Sequence, residues 1–349
     1  MNIRCPHCRK EYSIPDERLQ AFTGNITIPC PSCKGAIVVQ TPSSPKGKDG
    51  PGADRQSGQG KAEQTSATDN GTALKERILK SLHDLPPMPQ VAQKAREVIN
   101  NPASSFKDLA KVIETDQAIV TRILKIANSP YYGLSGKVSS VQHASVVLGS
   151  KTLMEVLNLA CSSDILGQTL AGYDLDAGEL WKHSLAVASA SQIIARRVNP
   201  SLEQDAFSAG LIHDAGKLIL DPYILERKDA FRSFVADGSD TFLNAEKHIL
   251  GFDHAEMAAD ACERWHIPSL IARAIRYHHD PTPSDGDQLC FIVHMADAVA
   301  LMSGIGAGLD GLLYTIHPEA MKFLRLSRDN LNEIMGTIAE YVEKTTQSG

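Results

Sequence analysis

Imidazoles and carboxylates recur in order through the second half of the chain: His183, the adjacent pair His213 and Asp214, then His254, the pair His278 and His279, and Asp297. Neutral imidazole and carboxylate are donors suited to divalent Fe, Mn, Zn or Ni, and residue types alone do not choose among these ions. The His-Asp pair lies in Gly-Leu-Ile-His-Asp-Ala-Gly-Lys, which ends at Lys217. A helix end at this point lets two neighbouring donors face one cluster. A lone His-Asp dipeptide carries little information. The ordered series predicts a pocket for one or two divalent metals, of a kind where phosphate esters are cleaved. The competing reading is a set of polar groups hydrogen-bonded to one another and to water. His83, His143, His248, His266, His294 and His317 are read as surface or internally satisfied residues. His294 stands out among them because it lies one turn before Asp297 on the same helix face.

A second donor set opens the chain. Cys5 and Cys8, then Cys30 and Cys33, form two Cys-x-x-Cys pairs separated by 21 residues. Four thiolates at such spacing make a closed tetrahedral Zn site. About forty residues bury little, so the metal would supply most of the folding energy. Two disulfides or a redox Cys-x-x-Cys are the alternatives. His7 lies between two ligands and is expected to be excluded by the thiolates. Ile26 to Ile28 and Val38 with Val39 suggest small strands. Cys161, Cys262 and Cys290 stand in apolar helical contexts and are expected in the core. The odd cysteine total and the lack of a secretory signal point to a reducing cytoplasm.

These donors need elements to hold them. The 349 residues are 42% hydrophobic, enough for one sizeable core and room for two domains. Net charge is -6 and aromatics are 5%, so no polyanion-binding or base-stacking surface is expected, and nucleic acid is not an expected partner. Arg4, Arg9, Lys10 and Arg18 near the start are opposed by Glu11, Asp16 and Glu17. No window reaches about 18 charge-free apolar residues, so no membrane span is expected. Residues 41–73, rich in Gly, Ser, Pro and charge, hold no large apolar side chain and are expected to form a flexible linker between a unit over 1–40 and another over 74–349.

From 74 onward helical periodicity dominates and no run demands a sheet. Expected helices include Leu74 to Leu82, Val91 to Ile99, Phe106 to Glu114 and Ala118 to Ala127. Val141 to Leu148 and Lys151 to Cys161 follow, then Glu179 to Arg197 and the segment 202–213 that ends at the His-Asp pair. The rest fall near 222–236, 240–250, 254–265, 268–279, 287–303, 317–326 and 328–345. Pro86, Pro87 and Pro89 read as a rigid interhelix turn, with a partner-binding polyproline stretch as the rival. Asn128 to Gly133 reads as a helix-ending turn. Met88, Met154, Met257 and Met295 are read as core. The expected fold class is mainly α: an all-helical bundle preceded by a small zinc ribbon.

Four segments occurring in order carry a resemblance. Leu85-Pro-Pro-Met-Pro-Gln-Val91, Ile113-Glu-Thr-Asp-Gln-Ala118, Ile126-Ala-Asn-Ser-Pro-Tyr-Tyr-Gly133 and Ala144-Ser-Val-Val-Leu-Gly149 resemble the HDOD family, the HD-related output domains, over about 78–280. The resemblance implies an all-helical bundle related to the HD phosphohydrolases and a role in bacterial signalling through protein partners. The HD order of His, His-Asp and distant Asp falls on His183, His213, Asp214 and Asp297. The binuclear phosphodiesterase branch, HD-GYP, implies three further histidines, here His254, His278 and His279. It also implies an acidic ligand one turn before the first histidine, here Glu179. By the same resemblance Asp214 bridges two ions and Lys217 reaches a phosphate, giving these two catalytic roles toward a phosphate ester or nucleotide. After His279 the chain reads Asp-Pro-Thr-Pro-Ser-Asp-Gly-Asp, so the Gly-Tyr-Pro loop of that branch is absent and cyclic-dinucleotide hydrolysis is not expected. The first 40 residues are similar to the zinc ribbons that open bacterial regulatory proteins, which implies a structural or binding role.

Overall fold

A computed structural model describes residues 2–9, 11–13, 24–29, 36–41, 64–82, 90–101, 103–129, 132, 134, 137–236, 240–265, 267–306 and 316–346. Two antiparallel hairpins occur in the first 41 residues. β1 (Asn2–Arg4) pairs with β2 (Glu11–Ser13), and β3 (Gly24–Pro29) pairs with β4 (Ala36–Thr41). The second hairpin holds the strands expected at Ile26 to Ile28 and at Val38. Cys5 is buried and Cys8 half-buried. Cys30 and Cys33 lie outside the described residues, as do residues 42–63 and Leu85 to Pro89.

The described remainder is helical. α1 (Gln64–Ser81), α2 (Gln90–Asn100), α3 (Phe106–Ile113), α4 (Gln117–Ala127) and α5 (Val141–Leu166) come first. α6 (Glu179–Val198), α7 (Glu203–Ile212), α8 (Ala215–Glu226), α9 (Lys228–Phe234) and α10 (Phe242–Leu250) follow. α11 (His254–Arg264), α12 (Ser269–Arg276), α13 (Gln288–Met302), α14 (Ala320–Phe323) and α15 (Arg328–Thr346) complete the bundle.

Local chemistry sets the ends. Ser105 accepts from the Asp108 backbone N–H while the Asp108 carboxylate accepts from the Ser105 N–H, a reciprocal cap that starts α3. Thr241 and Asp253 cap α10 and α11 through their side-chain oxygens. The Asn128 side chain donates to the Leu124 and Val138 carbonyls and accepts from the Val138 N–H, so it ends α4 and ties down the returning chain. Gly149, at φ 76°, breaks α5 between the two short helices expected there.

The helix expected near 222–236 is two helices, the one near 317–326 is only Ala320–Phe323, and two helix starts differ most. The first helix starts at Gln64, ten residues inside the segment read as linker, because polar residues without apolar spacing can still extend a helix anchored further along. The anchor is Lys75, paired with Glu256 at 3.1 Å and Asp260 at 2.7 Å on α11, together with buried Ile78, Leu79 and Leu82. The helix expected near 222 begins instead at Ala215 and runs through Pro222. Proline removes one internal hydrogen bond, and packing of Ile219, Leu220 and Ile224 in the core holds the turn around it.

Two apolar clusters fill the interior. One gathers α2 to α7 with α11 to α15, and the other gathers α1, Tyr173, α8, Phe231 on α9 and α10. α6 serves both through Leu180 and Leu185, and α11 through Met257 and Cys262. The stretch Val141–Ser163 is long and apolar enough to span a membrane by composition, with mean hydropathy 1.2. It carries Lys151 and Glu155, bends at Gly149, and buries Leu153, Val156, Leu157 and Leu159, so it is a core helix. Cys161, Cys262 and Cys290 are buried as expected, and burial pushes each thiol up to about 12. Met154, Met257 and Met295 are core as well.

Candidate metal centre

The junction of α7 and α8 is the pivot. Ile212 ends α7, His213 and Asp214 sit between the helices, and α8 begins at Ala215. Helix α8 lies against α11 so closely that a Cβ at Gly216 would stand 1.9 Å from the His254 carbonyl oxygen. Only glycine fits, which explains its place two residues after the Asp. α6 packs on α7 and α13 and brings His183; α11 begins with His254; His278 and His279 follow α12; Asp297 sits mid-way along α13.

Seven side chains converge. Asp214, His254, His278 and His279 present donor atoms within 4.8 Å of one another. So do His183, His213 and Asp214, and so do His213, His278 and Asp297. Asp214 divides its oxygens between the two sides. Oδ2 is 3.4 Å from His213 Nε2 and 3.7 Å from His183 Nε2; Oδ1 is 3.2 Å from His254 Nε2 and 3.8 Å from His278 Nε2. His183 Nε2 lies 3.0 Å from Asp297 Oδ1. Six of the seven are buried and His279 is half-buried.

Each ring is aimed by its far nitrogen. Nδ1 of His183 donates to the Ile305 carbonyl at 3.1 Å, that of His213 to Gly210 at 2.8 Å, and that of His278 to Ile275 at 2.7 Å. These partners only accept, so Nδ1 carries the hydrogen and the Nε2 lone pair points inward. His254 donates Nδ1 to the Glu246 carboxylate at 2.7 Å. Glu246 is fully buried, accepting also from the His254 N–H at 2.9 Å and the Tyr173 hydroxyl at 2.6 Å. Sequence reading missed Glu246 and Tyr173. Neither carries a local signal in the sequence, because they meet His254 only through the fold.

The electrostatics are those of a crowded buried set, with Glu246, Asp214 and Asp297 raising His213 and His254 against burial, while burial lowers His278 and His279. Burial presses His278 down to about 3 and holds His279 well below its usual range, with neighbouring imidazoles adding to both effects. Burial opposes the charge on Asp214 and Asp297, but the surrounding imidazoles, with Lys217 at Asp214, outweigh it and keep both carboxyls low. Burial also acts against His254, yet Glu246 and Asp214 push it up to about 10. His213 Nε2 is buried with no hydrogen-bond partner, and the Oδ1 atoms of Asp214 and Asp297 meet ring nitrogens without hydrogen-bond geometry. Nε2 of His254 and His279 face each other at 2.8 Å. Lone pairs and carboxylate oxygens crowded at such distances fit a divalent cation on each side of Asp214.

Other expected residues fall elsewhere. Glu179 stands one turn before His183, but its carboxylate accepts from the Asp176 N–H at 2.8 Å, capping the start of α6, and it is absent from every group of converging donors. In this conformation the side chain turns back along the helix, toward Asp176. Lys217 Nζ lies 2.9 Å from Asp214 Oδ2. His294 is buried and uses both ring nitrogens, donating to the His278 carbonyl at 2.7 Å and accepting from the His317 N–H at 2.8 Å. It positions the His278 backbone and has no nitrogen left for a metal.

Replacing Glu246 by Gln should lower metal affinity about 10- to 100-fold. The amide keeps the size of the carboxylate and loses its charge on His254. Metal titration, with circular dichroism as a check on folding, measures this.

Comparisons with known proteins agree with this architecture. The HDOD domain profile matches residues 85–281. An HDOD domain protein of unknown function from Geobacter sulfurreducens has a similar structure, with TM-score 0.66 and 23% identity, covering 80% of this chain and 98% of that one. A candidate phosphohydrolase from Shewanella amazonensis SB2B gives 0.58 and 22%, covering 78% and 98%. A candidate signal transduction protein from Marinobacter aquaeolei VT8 gives 0.63 and 22%, covering 81% and 64%. Among curated proteins, an uncharacterised protein of Treponema pallidum (strain Nichols) is 24% identical over 223 residues, which is 62% of this chain and 41% of that relative. The profile spans more than half of the sequence and contains all four ordered motifs, so the chain belongs to the HDOD domain family.

Proposed function

We propose that this chain is a bacterial, cytoplasmic signalling output protein whose HDOD domain holds two divalent transition metals, drawn from Fe, Mn, Zn and Ni, and acts by binding a protein partner or ligand. The observation that carries this reading is the pair of donor groups that share Asp214. In it the first 40 residues form a zinc ribbon on Cys5, Cys8, Cys30 and Cys33, and the polar segment ahead of Gln64 tethers it, raising its effective concentration near a partner. The similarity to a candidate signal transduction protein supports an output role.

One observation favours a second reading, hydrolysis of a phosphate ester. Lys217 is only 11% exposed and stands at the shared carboxylate, where it would neutralise an anionic ligand. Cations held there supply Lewis acidity toward a phosphoryl group. The chain's own part is to hold Asp214 ionised, to keep His278 and His279 neutral, and to exclude water by burying the donors.

Elemental analysis of the purified full chain tests the first reading, and two pocket metals per chain are expected in addition to the ribbon's Zn. No pocket metal would overturn both readings. A phosphoester panel separates them. In the hydrolytic reading, Lys217→Ala keeps its metal and loses about 10²- to 10³-fold in turnover. Metal-loaded protein with no turnover on any phosphoester leaves the output module.

A further inference from the structure

Behind the His213 and Asp214 pair, away from the donors, lies a cavity of about 330 Å³. It opens between the end of α5, the α7–α8 junction and the end of α11. Ile165, Ile212, Leu218, Ile219, Trp265 and Ile267 line it, and all but Ile219 are half-buried. Five large apolar side chains left partly open to one concavity are more than chance surface exposure. The volume falls in the range of small-molecule sites, about 300–1,000 Å³.

The polar lining is sparse and of one sign. Gln168 and Thr169 are exposed beside the cavity. Among the described residues Asp221 is the one charged residue in the wall, its Oδ1 accepting from the Gly172 N–H at 2.7 Å. Among the described residues no Lys or Arg lines the cavity, so an anionic head group would meet the Asp221 carboxylate first, with Lys228 acting on it only from outside the wall. Cys161 and Cys262 add thiols that burial keeps protonated.

We propose that this cavity binds a small amphiphile with a single apolar chain and an uncharged, hydrogen-bonding head. The chain fills the space between Ile165, Leu218 and Trp265, and the head lies toward Gln168, Thr169 and Asp221. Ile212 and Ala215 flank the His-Asp pair, so the occupant touches the backbone on both sides of it. The proposal does not depend on the function assigned to the metal centre.

Trp265 is one of two tryptophans, so Trp181→Phe in the full chain leaves a single reporter in the cavity wall. Titration with 1-alkanols of six to fourteen carbons should give a saturable shift in Trp265 emission. Affinity should rise about fourfold per added methylene and then stop rising once the chain outgrows the cavity. Decanoate should bind at least tenfold more weakly than 1-decanol at neutral pH. Ile165→Phe, which fills the space, should weaken 1-decanol binding at least tenfold with helicity unchanged. Absence of a saturable response, affinity that climbs through the longest alkanol without a break, or equal binding of decanoate would each overturn the proposal. If Ile165→Phe or Trp181→Phe fails to fold, the chain-length break in thermal shift of the unaltered protein decides it.

Discussion

Asp214→Asn should cost the helical domain both of the pocket metals proposed for it at once. The carboxylate places Oδ2 near His213 and His183 and Oδ1 near His254 and His278, so each donor group loses charge on the same atom set. An amide offers one weaker oxygen and turns an N–H toward the other side, where imidazole lone pairs give a cation no charge to balance. On that proposal the pocket content after dialysis falls from two metals per chain to near none, while the zinc proposed for the cysteines stays. His183→Ala is the contrast. It removes a donor from one side only and should leave about one pocket metal. Elemental analysis of the two variants beside the unaltered protein checks the pair, and equal loss in both would show that the sides do not share Asp214 in this way.

Gly216→Ala should be among the most destabilising single changes in the chain. An added methyl would lie 1.9 Å from the His254 carbonyl oxygen and 3.1 Å from the Ala258 nitrogen, and both are backbone atoms. No side-chain rotation relieves this, so α8 and α11 must part. Overpacking of this kind costs about 1–3 kcal/mol and occasionally more, and backbone contacts place this case at the upper end. The same movement pulls Asp214 from His254, so metal affinity should fall with stability. Denaturant unfolding and metal titration of the variant measure the two effects. Stability within about 0.5 kcal/mol of the parent would show that the helices are not held as closely as described.

The donors were legible because their chemistry is scarce. Histidine and aspartate on otherwise apolar helices, such as Asp297 within α13, have few structural reasons to be there. Their order along the chain then allowed a shared pocket to be expected before any contact was known. Glu246 was not legible, because it meets His254 only through the turn at Gly251 to Asp253, and nothing local marks the pairing. Glu179 is the contrasting case. Its spacing from His183 sets both on one helix face, and the Asp176 N–H donates to its carboxylate at 2.8 Å. The start of α8 was hidden by Pro222, whose local cost is overridden by the burial of its neighbours. The start of α1 was hidden because Gln64 to Gly71 carry no apolar rhythm and depend on an anchor at Lys75. Sequence pattern thus revealed side chains that are costly to bury and missed tertiary fastenings.

The donors come from five places: α6, the α7–α8 junction, the start of α11, the end of α12 and the middle of α13. Ions bound among them would lace the bundle together from its centre, and the unfolded chain has no such assembled site. Fold and loading then become one equilibrium, with about 2.7 kcal/mol gained for a site when free ion stands at 100 times its dissociation constant. A cell short of these ions would hold a looser and shorter-lived protein, so the supply of ion would set how long each copy endures.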